Sequence, residues 1–201
     1  MKVNSKKSIY KLSLSAVFIA LATVLSNIKI LNMPLGGSVT LLSMLPIVMI
    51  SCMLDLKWGL ACSFVYSLVQ LLLGIVVDGL FGWGLTPVML IGTILLDYVL
   101  AFTVLGFAGV FAKKGYKGIC LGIALSISLR FICHFISGYV IFKELEQFEL
   151  FGKLFFNQPA LYSLSYNGLY MLPELVITLV ASAVIFNLPQ IKKIIEVKPQ
   201  N

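Results

Sequence analysis

Along its 201 residues the chain is a succession of apolar runs, too long and too poor in charge for a small soluble domain. A bilayer core of about 30 Å needs roughly 20 helical residues, and a helix satisfies its own backbone polar groups in hydrocarbon. The runs predict helices near residues 8–27, 39–54, 58–78, 87–111, 118–142 and 165–188. The expected fold class is all-α and integral to a membrane, with six spans in a single domain over residues 1–201. Composition agrees: 60% of residues are hydrophobic and 11% charged, where soluble domains have about 25% charged residues. The N-terminal MKVNSKKSIYKL followed by apolar residues looks like a secretory leader. The run from Ser13 to Ile28 has no convincing A-x-A cleavage signal, so it reads as a retained first helix.

The formal charge of +7 would suggest nucleic acid in a soluble chain, but here the lysines stand at the ends of apolar stretches and no nucleic-acid partner is expected. Lys2, Lys6, Lys7, Lys11, Lys57, Lys113, Lys114, Lys117, Lys192, Lys193 and Lys198 fall on one side of an alternating six-span topology. The other side receives only Lys29, Lys143 and Lys153, with Asp78, Glu144, Glu146 and Glu149. The positive-inside rule then places both termini in the cytoplasm and the chain in the cell membrane. Outer connections are the long ones, at 28–38, 79–86 and 143–164, so the outer face is the expected ligand entrance to an outward-facing cavity.

Ionisable side chains within spans are costly, about 2.5 to 3.5 kcal/mol at mid-helix on insertion scales, and by default face a cavity or a partner. Asp97, Arg130, His134 and Glu174 are such residues; Arg130 and His134 are the only arginine and histidine in the chain. Arg130, His134 and Gly138 recur every four residues and share a helix face. Counted by helical rise from the outer ends, His134 lies about 12 Å deep, Asp97 about 15 Å and Arg130 about 18 Å. Two readings of this trio stand. Arg130 and Asp97 form a buried ion pair that locks two helices, or Asp97 is the counter-charge for a cationic ligand with Arg130 supporting it. His134, nearer the outside and in the company of Tyr139 and Phe142, is expected to touch ligand.

A second cluster opens the last helix, YSLSYNGLYMLPE, residues 162–174. Tyr166 and Tyr170 share a face, and Tyr162 joins them if the helix starts early. An interfacial aromatic belt explains the tyrosines. It does not call for Asn167, whose donor and acceptor suit a heteroaromatic amine. Pro173 weakens that helix from within.

Helix 1 carries small residues on one face, with an AxxxA motif at Ala16 and Ala20. Such a stripe serves either close packing inside the bundle or docking of another membrane subunit. The four cysteines lie in apolar runs without a CxxC pair, and with one histidine they make no metal site. Neither GxSxG, HExxH nor GxxxxGK[ST] occurs. No catalytic residue or cofactor is expected. A small intramembrane enzyme built on Asp97, Arg130 and His134 would need a nucleophile that the sequence does not supply.

Together, the six spans, AxxxA, a glycine-containing first outer loop, RFICHFISG (130–138) and YSLSYNG (162–168) resemble the substrate-binding S component of energy-coupling factor vitamin transporters, most closely the thiamine-specific kind. The resemblance covers essentially the whole chain. It implies a protein that takes thiamine from outside and works with a transmembrane coupling subunit and two ATPase subunits. It also implies a first outer loop that closes over the ligand, and docking through Ala16 and Ala20. By motif, His134 is similar to the family histidine that packs on the ligand, Tyr162 and Asn167 to the pair at the aminopyrimidine, and Asp97 with Tyr98 to an acidic-aromatic pair. Asp97 is shorter than the family glutamate, Phe142 stands at a tryptophan position, and the loop from Ile28 to Ser38 has no tryptophan. Expected ligand contacts are thus Asp97, Tyr98, His134, Gly138, Phe142, Tyr162, Tyr166 and Asn167, supported by Arg130. A different vitamin is the alternative substrate.

Overall fold

The computed structural model describes residues 2–142, 149–150, 153–154 and 157–191, with side chains described over 8–142 and 157–191. Lys143, Glu144, Glu146, Lys192, Lys193 and Lys198 lie outside the described residues, as do the side chains of Lys2, Lys6, Lys7, Glu149 and Lys153.

Helix α1 (Lys2–Ser26) leads into an antiparallel hairpin of β1 (Lys29–Asn32) and β2 (Ser38–Thr40), closed by a turn at Pro34–Gly36. Next come α2 (Met44–Met53) and α3 (Leu56–Val76). A continuous helical run follows: α4 (Pro87–Thr93), a π-helical stretch (Ile94–Leu100), the short α5 (Ala101–Thr103) and a 3-10 stretch (Val104–Gly109). Helix α6 (Gly115–Val140), a small hairpin of β3 (Glu149–Leu150) and β4 (Lys153–Leu154), and α7 (Pro159–Ile185) complete the described chain.

Among the described residues, four helical stretches are long and apolar enough to cross a membrane: Ser8–Ser26, Leu56–Val76, Pro87–Val140 and Pro159–Ile185. The third is 54 residues long and folds back on itself near Gly115, whose φ of +71° suits a residue without Cβ. Its two arms pack so closely that a Cβ at Gly122 would collide with the Ala108 carbonyl. Met44–Met53 is a shorter apolar helix, and every residue in it is buried. It holds the centre of the bundle because its neighbours leave room: a Cβ on Gly59 of α3 would lie 2.6 Å from Ser51 Oγ, and that hydroxyl accepts from Gly109 N–H at 2.9 Å.

Several expected bounds shift. The span placed at 39–54 starts later, because Ser38–Thr40 pairs as β2, and the first outer loop is a hairpin instead of irregular chain. The last helix begins at Pro159, not 165, since Pro at the first helical position costs no hydrogen bond there. That early start brings Tyr162 onto the helix. At the opposite end of the bundle, Asp55 caps α3 by accepting from Trp58 N–H at 2.9 Å and pairs with Lys11 Nζ at 2.6 Å, tying α1 to the α2–α3 turn. Ala16 and Ala20 are exposed, while Ser15, Ala22 and Ser26 turn inward. Packing inside the described bundle therefore does not account for the AxxxA stripe.

Candidate functional site: a polar and aromatic cavity beneath the hairpin

Four elements converge at the hairpin end of the bundle. The π-helical stretch carries Asp97 and Tyr98; single π turns inside α-helices often mark functional sites. From α6 come Arg130, His134 and Gly138, spaced by four so that one face presents all three. The same spacing on α7 aligns Tyr162, Tyr166, Tyr170 and Glu174, with Asn167 beside them. The β1–β2 hairpin roofs the space between. The resulting cavity holds about 1050 Å³ of empty space counted out to its mouth, and all eight expected ligand contacts and Arg130 line it.

A chain of hydrogen bonds runs through its wall. Asp97 Oδ1 lies 2.8 Å from His134 Nδ1, and Asp97 Oδ2 accepts from Ser137 Oγ. His134 Nε2 accepts from Arg130 Nε at 3.2 Å. Because Nε2 is the acceptor, the ring proton sits on Nδ1 and is donated to Asp97, which defines a neutral tautomer. Of the two readings of the trio, the one with a direct Arg130–Asp97 ion pair is thus corrected. His134 stands between them, bonded to Arg130 through Nε2 and to Asp97 through Nδ1. The Arg130 guanidinium instead lies over the Phe102 ring, 4.1 Å from its centroid, an attraction of about 2 kcal/mol when desolvated. Among the described residues, its terminal N–H groups have no protein acceptor.

Asn167 is also engaged. Its amide nitrogen donates to the Ser163 carbonyl at 2.9 Å and the His134 carbonyl at 3.2 Å, and its oxygen accepts from Tyr170 OH at 2.7 Å. Gly138 is where α6 and α7 touch: a Cβ there would collide with Ser163 Oγ and come within 3.3 Å of Asn167 Nδ2. Its lack of a side chain sets the spacing of the helices that carry His134 and Asn167. A Cβ on Gly74 of α3 would likewise collide with Tyr98. Phe142 is buried at the end of α6. Tyr162 stacks on Tyr166 at 5.7 Å, and Tyr166 meets Tyr170 edge-on at 5.9 Å.

Several lining residues went unmarked by sequence patterns. Lys29 pairs with Asp78 at the rim, and Trp83 donates its indole N–H to the Asp78 carbonyl at 3.0 Å. Glu174, only 1% exposed, accepts from Thr40 N–H at 2.5 Å and Thr40 Oγ1 at 2.7 Å. Its second oxygen has no partner among the described residues. The sequence marked Glu174 as an intramembrane carboxylate, but no local signal pointed to Thr40. With His134 neutral, three carboxylates (Asp78, Asp97, Glu174) against Lys29 and Arg130 leave the lining with a formal charge of minus one.

Residues 12–194 match the family described as thiamine transporter protein. The thiamine transporter ThiT of Bacillus subtilis (strain 168) is 31% identical over 198 residues, spanning 92% of this chain and 94% of that protein. A solved structure of ThiT from Listeria monocytogenes shares the fold with a TM-score of 0.71 at 20% identity, over 94% of this chain and 98% of that one. The chain is thus a multi-pass membrane protein and a transport protein, not an enzyme, and it belongs to the thiamine transporter family.

Proposed function

We propose that this protein is the S component of a thiamine uptake system, binding the vitamin from outside and delivering it with an ATP-driven energy-coupling factor module. The observation that carries this reading is the cavity of a thiamine-family protein, lined by aromatic rings with the Asp97 carboxylate among them, which complements a flat monocation. Asp97, held by His134 and Ser137, balances the ligand charge. Tyr98, Phe142, Tyr162 and Tyr166 offer ring faces, and His134 packs its imidazole against the ligand. Arg130 holds His134 in place and Gly138 sets the helix spacing. Asn167 reads the aminopyrimidine only by exchanging one of its present partners.

The chain crosses the cell membrane six times with both termini in the cytoplasm. In this arrangement Met44–Met53 and the two arms of Pro87–Val140 count as spans. Ala16 and Ala20, exposed on α1, form the docking stripe for the coupling subunit that links to two ATPase subunits. No cofactor takes part.

Titration of purified protein with thiamine, riboflavin and biotin, followed by tryptophan fluorescence or calorimetry, tests the substrate. One-to-one binding of thiamine alone is expected. Tight binding of riboflavin or biotin with none of thiamine would overturn it.

A further inference from the structure

Two short apolar stretches at the hairpin end serve neither the core nor the cavity. The first is on β1, whose far edge pairs with nothing among the described residues. Val39 and Thr40 of β2 are buried, whereas Ile28, Ile30 and Leu31 are exposed. A bulge arranges this. Lys29 stands opposite Thr40 and Leu31 opposite Val39, so Ile30 is an extra residue on β1, and a bulge of this kind re-aims side chains. Lys29, the one charged residue of the strand, lines the cavity and pairs with Asp78. An edge strand that meets water is ordinarily blunted by charge; this one presents Leu31 and Ile30, the latter 62% exposed. The second stretch is Val77 and Phe81, just beyond α3 and both exposed. The Lys29–Asp78 pair holds β1 against that end of α3, which brings the two stretches to one level.

That level coincides with the rim of a bilayer. The apolar span Ser8–Ser26 has 19 residues, about 28 Å of helix, and Leu56–Val76 has 21, about 31 Å, against a hydrocarbon core of about 30 Å. Both run out of hydrocarbon where Ile28 and Val77 begin. The exposed side chains also continue the outward faces of the spans, Leu21 and Val24 on α1 and Leu72 and Val76 on α3. We infer that Ile28, Ile30, Leu31, Val77 and Phe81 form an apolar collar seated in the lipid leaflet at the hairpin end, at the boundary between acyl chains and headgroups. Two opposed demands fix that depth. The unpaired backbone groups on the edge of β1 cannot enter hydrocarbon, and the side chains beside them lose free energy in water. Only the boundary meets both, since it offers water and headgroups to the one and acyl chains to the other. The hairpin is then lipid-facing along β1 and cavity-facing along β2, whatever the cavity binds.

Photolabelling of the unmodified protein tests the collar. In vesicles of phosphatidylcholine and phosphatidylglycerol doped with a phospholipid that carries a diazirine in its acyl chain, irradiation followed by mass spectrometry is expected to place label on Ile28, Ile30, Leu31 and Phe81 as well as on Val24. Depth is read from single tryptophans in a Trp58→Phe, Trp83→Phe background. Ile30→Trp is expected to be quenched about twofold more by lipid brominated near the ester end of the chain than by lipid brominated near the methyl end. Val17→Trp, at mid-span, should show the reverse order, and aqueous iodide should quench neither strongly. If that background fails to fold, the labelling of unmodified protein still decides. Label on α1 and α3 with none on residues 28–31 or Phe81, or free access of iodide to Ile30→Trp, would overturn the collar and leave the edge of β1 to water or to a second protein chain.

Discussion

His134 donates from Nδ1 to Asp97 Oδ1 at 2.8 Å while Arg130 occupies its other nitrogen, so the imidazole orients the carboxylate and is itself oriented. Such a pair presents charge to a ligand without the reorganisation that a mobile side chain would need.

Removing either member should cost binding. Asp97→Asn keeps the shape but discards the counter-charge, and His134→Ala frees both Asp97 and Arg130. Each is expected to weaken thiamine binding at least tenfold, about 1.4 kcal/mol, by calorimetry. Unchanged affinity in both would remove the pair from the site.

Helix spacing should matter as much as ligand contact. Gly138→Val places branched carbons where Ser163 Oγ already stands, forcing α6 and α7 apart. A loss of about 1 to 3 kcal/mol in stability is expected, with a lower melting temperature in detergent. The same melting temperature as wild type would show that the helices give way freely.

The contact between the hairpin and Glu174 offers a graded test. Glu174→Gln retains a carbonyl acceptor for Thr40, whereas Glu174→Ala leaves the Thr40 N–H unpaired in a buried place. The alanine variant should lose about 1 to 3 kcal/mol in thermal or denaturant unfolding, and the glutamine variant clearly less. Equal losses would argue that charge, not the Thr40 contact, is what Glu174 supplies.

For docking, bulk on an exposed stripe should act on assembly alone. Ala16→Trp and Ala20→Trp are expected to abolish co-purification with coupling and ATPase subunits while thiamine titration stays within twofold of wild type. Retained co-purification would place the docking surface elsewhere.

The apolar runs, the lysines at their ends and the fourfold spacing of Arg130, His134 and Gly138 were legible because they depend on local periodicity and on what a bilayer tolerates. They marked the apolar stretches, although α2 and α7 start at Met44 and Pro159 instead of 39 and 165, and they singled out residues of α6 and α7 that line the cavity. The hairpin was not legible, since residues 28–38 carry only a short apolar stretch and a Pro-Leu-Gly-Gly turn, and strand pairing there depends on register between distant segments.

What tertiary structure decided was partner choice. Sequence spacing brought Arg130, His134 and Asp97 to similar depth, but which of them touch depends on how α6 is rotated against the π-helical stretch, to within an ångström or two. Thr40 meets Glu174 across 134 residues of sequence, and Tyr166 meets Pro34 across 132. No local pattern encodes such contacts. The sequence by itself determined a helical membrane protein with charges buried in its spans. Packing of helices that must satisfy those charges without water determined which groups face each other and which face the cavity.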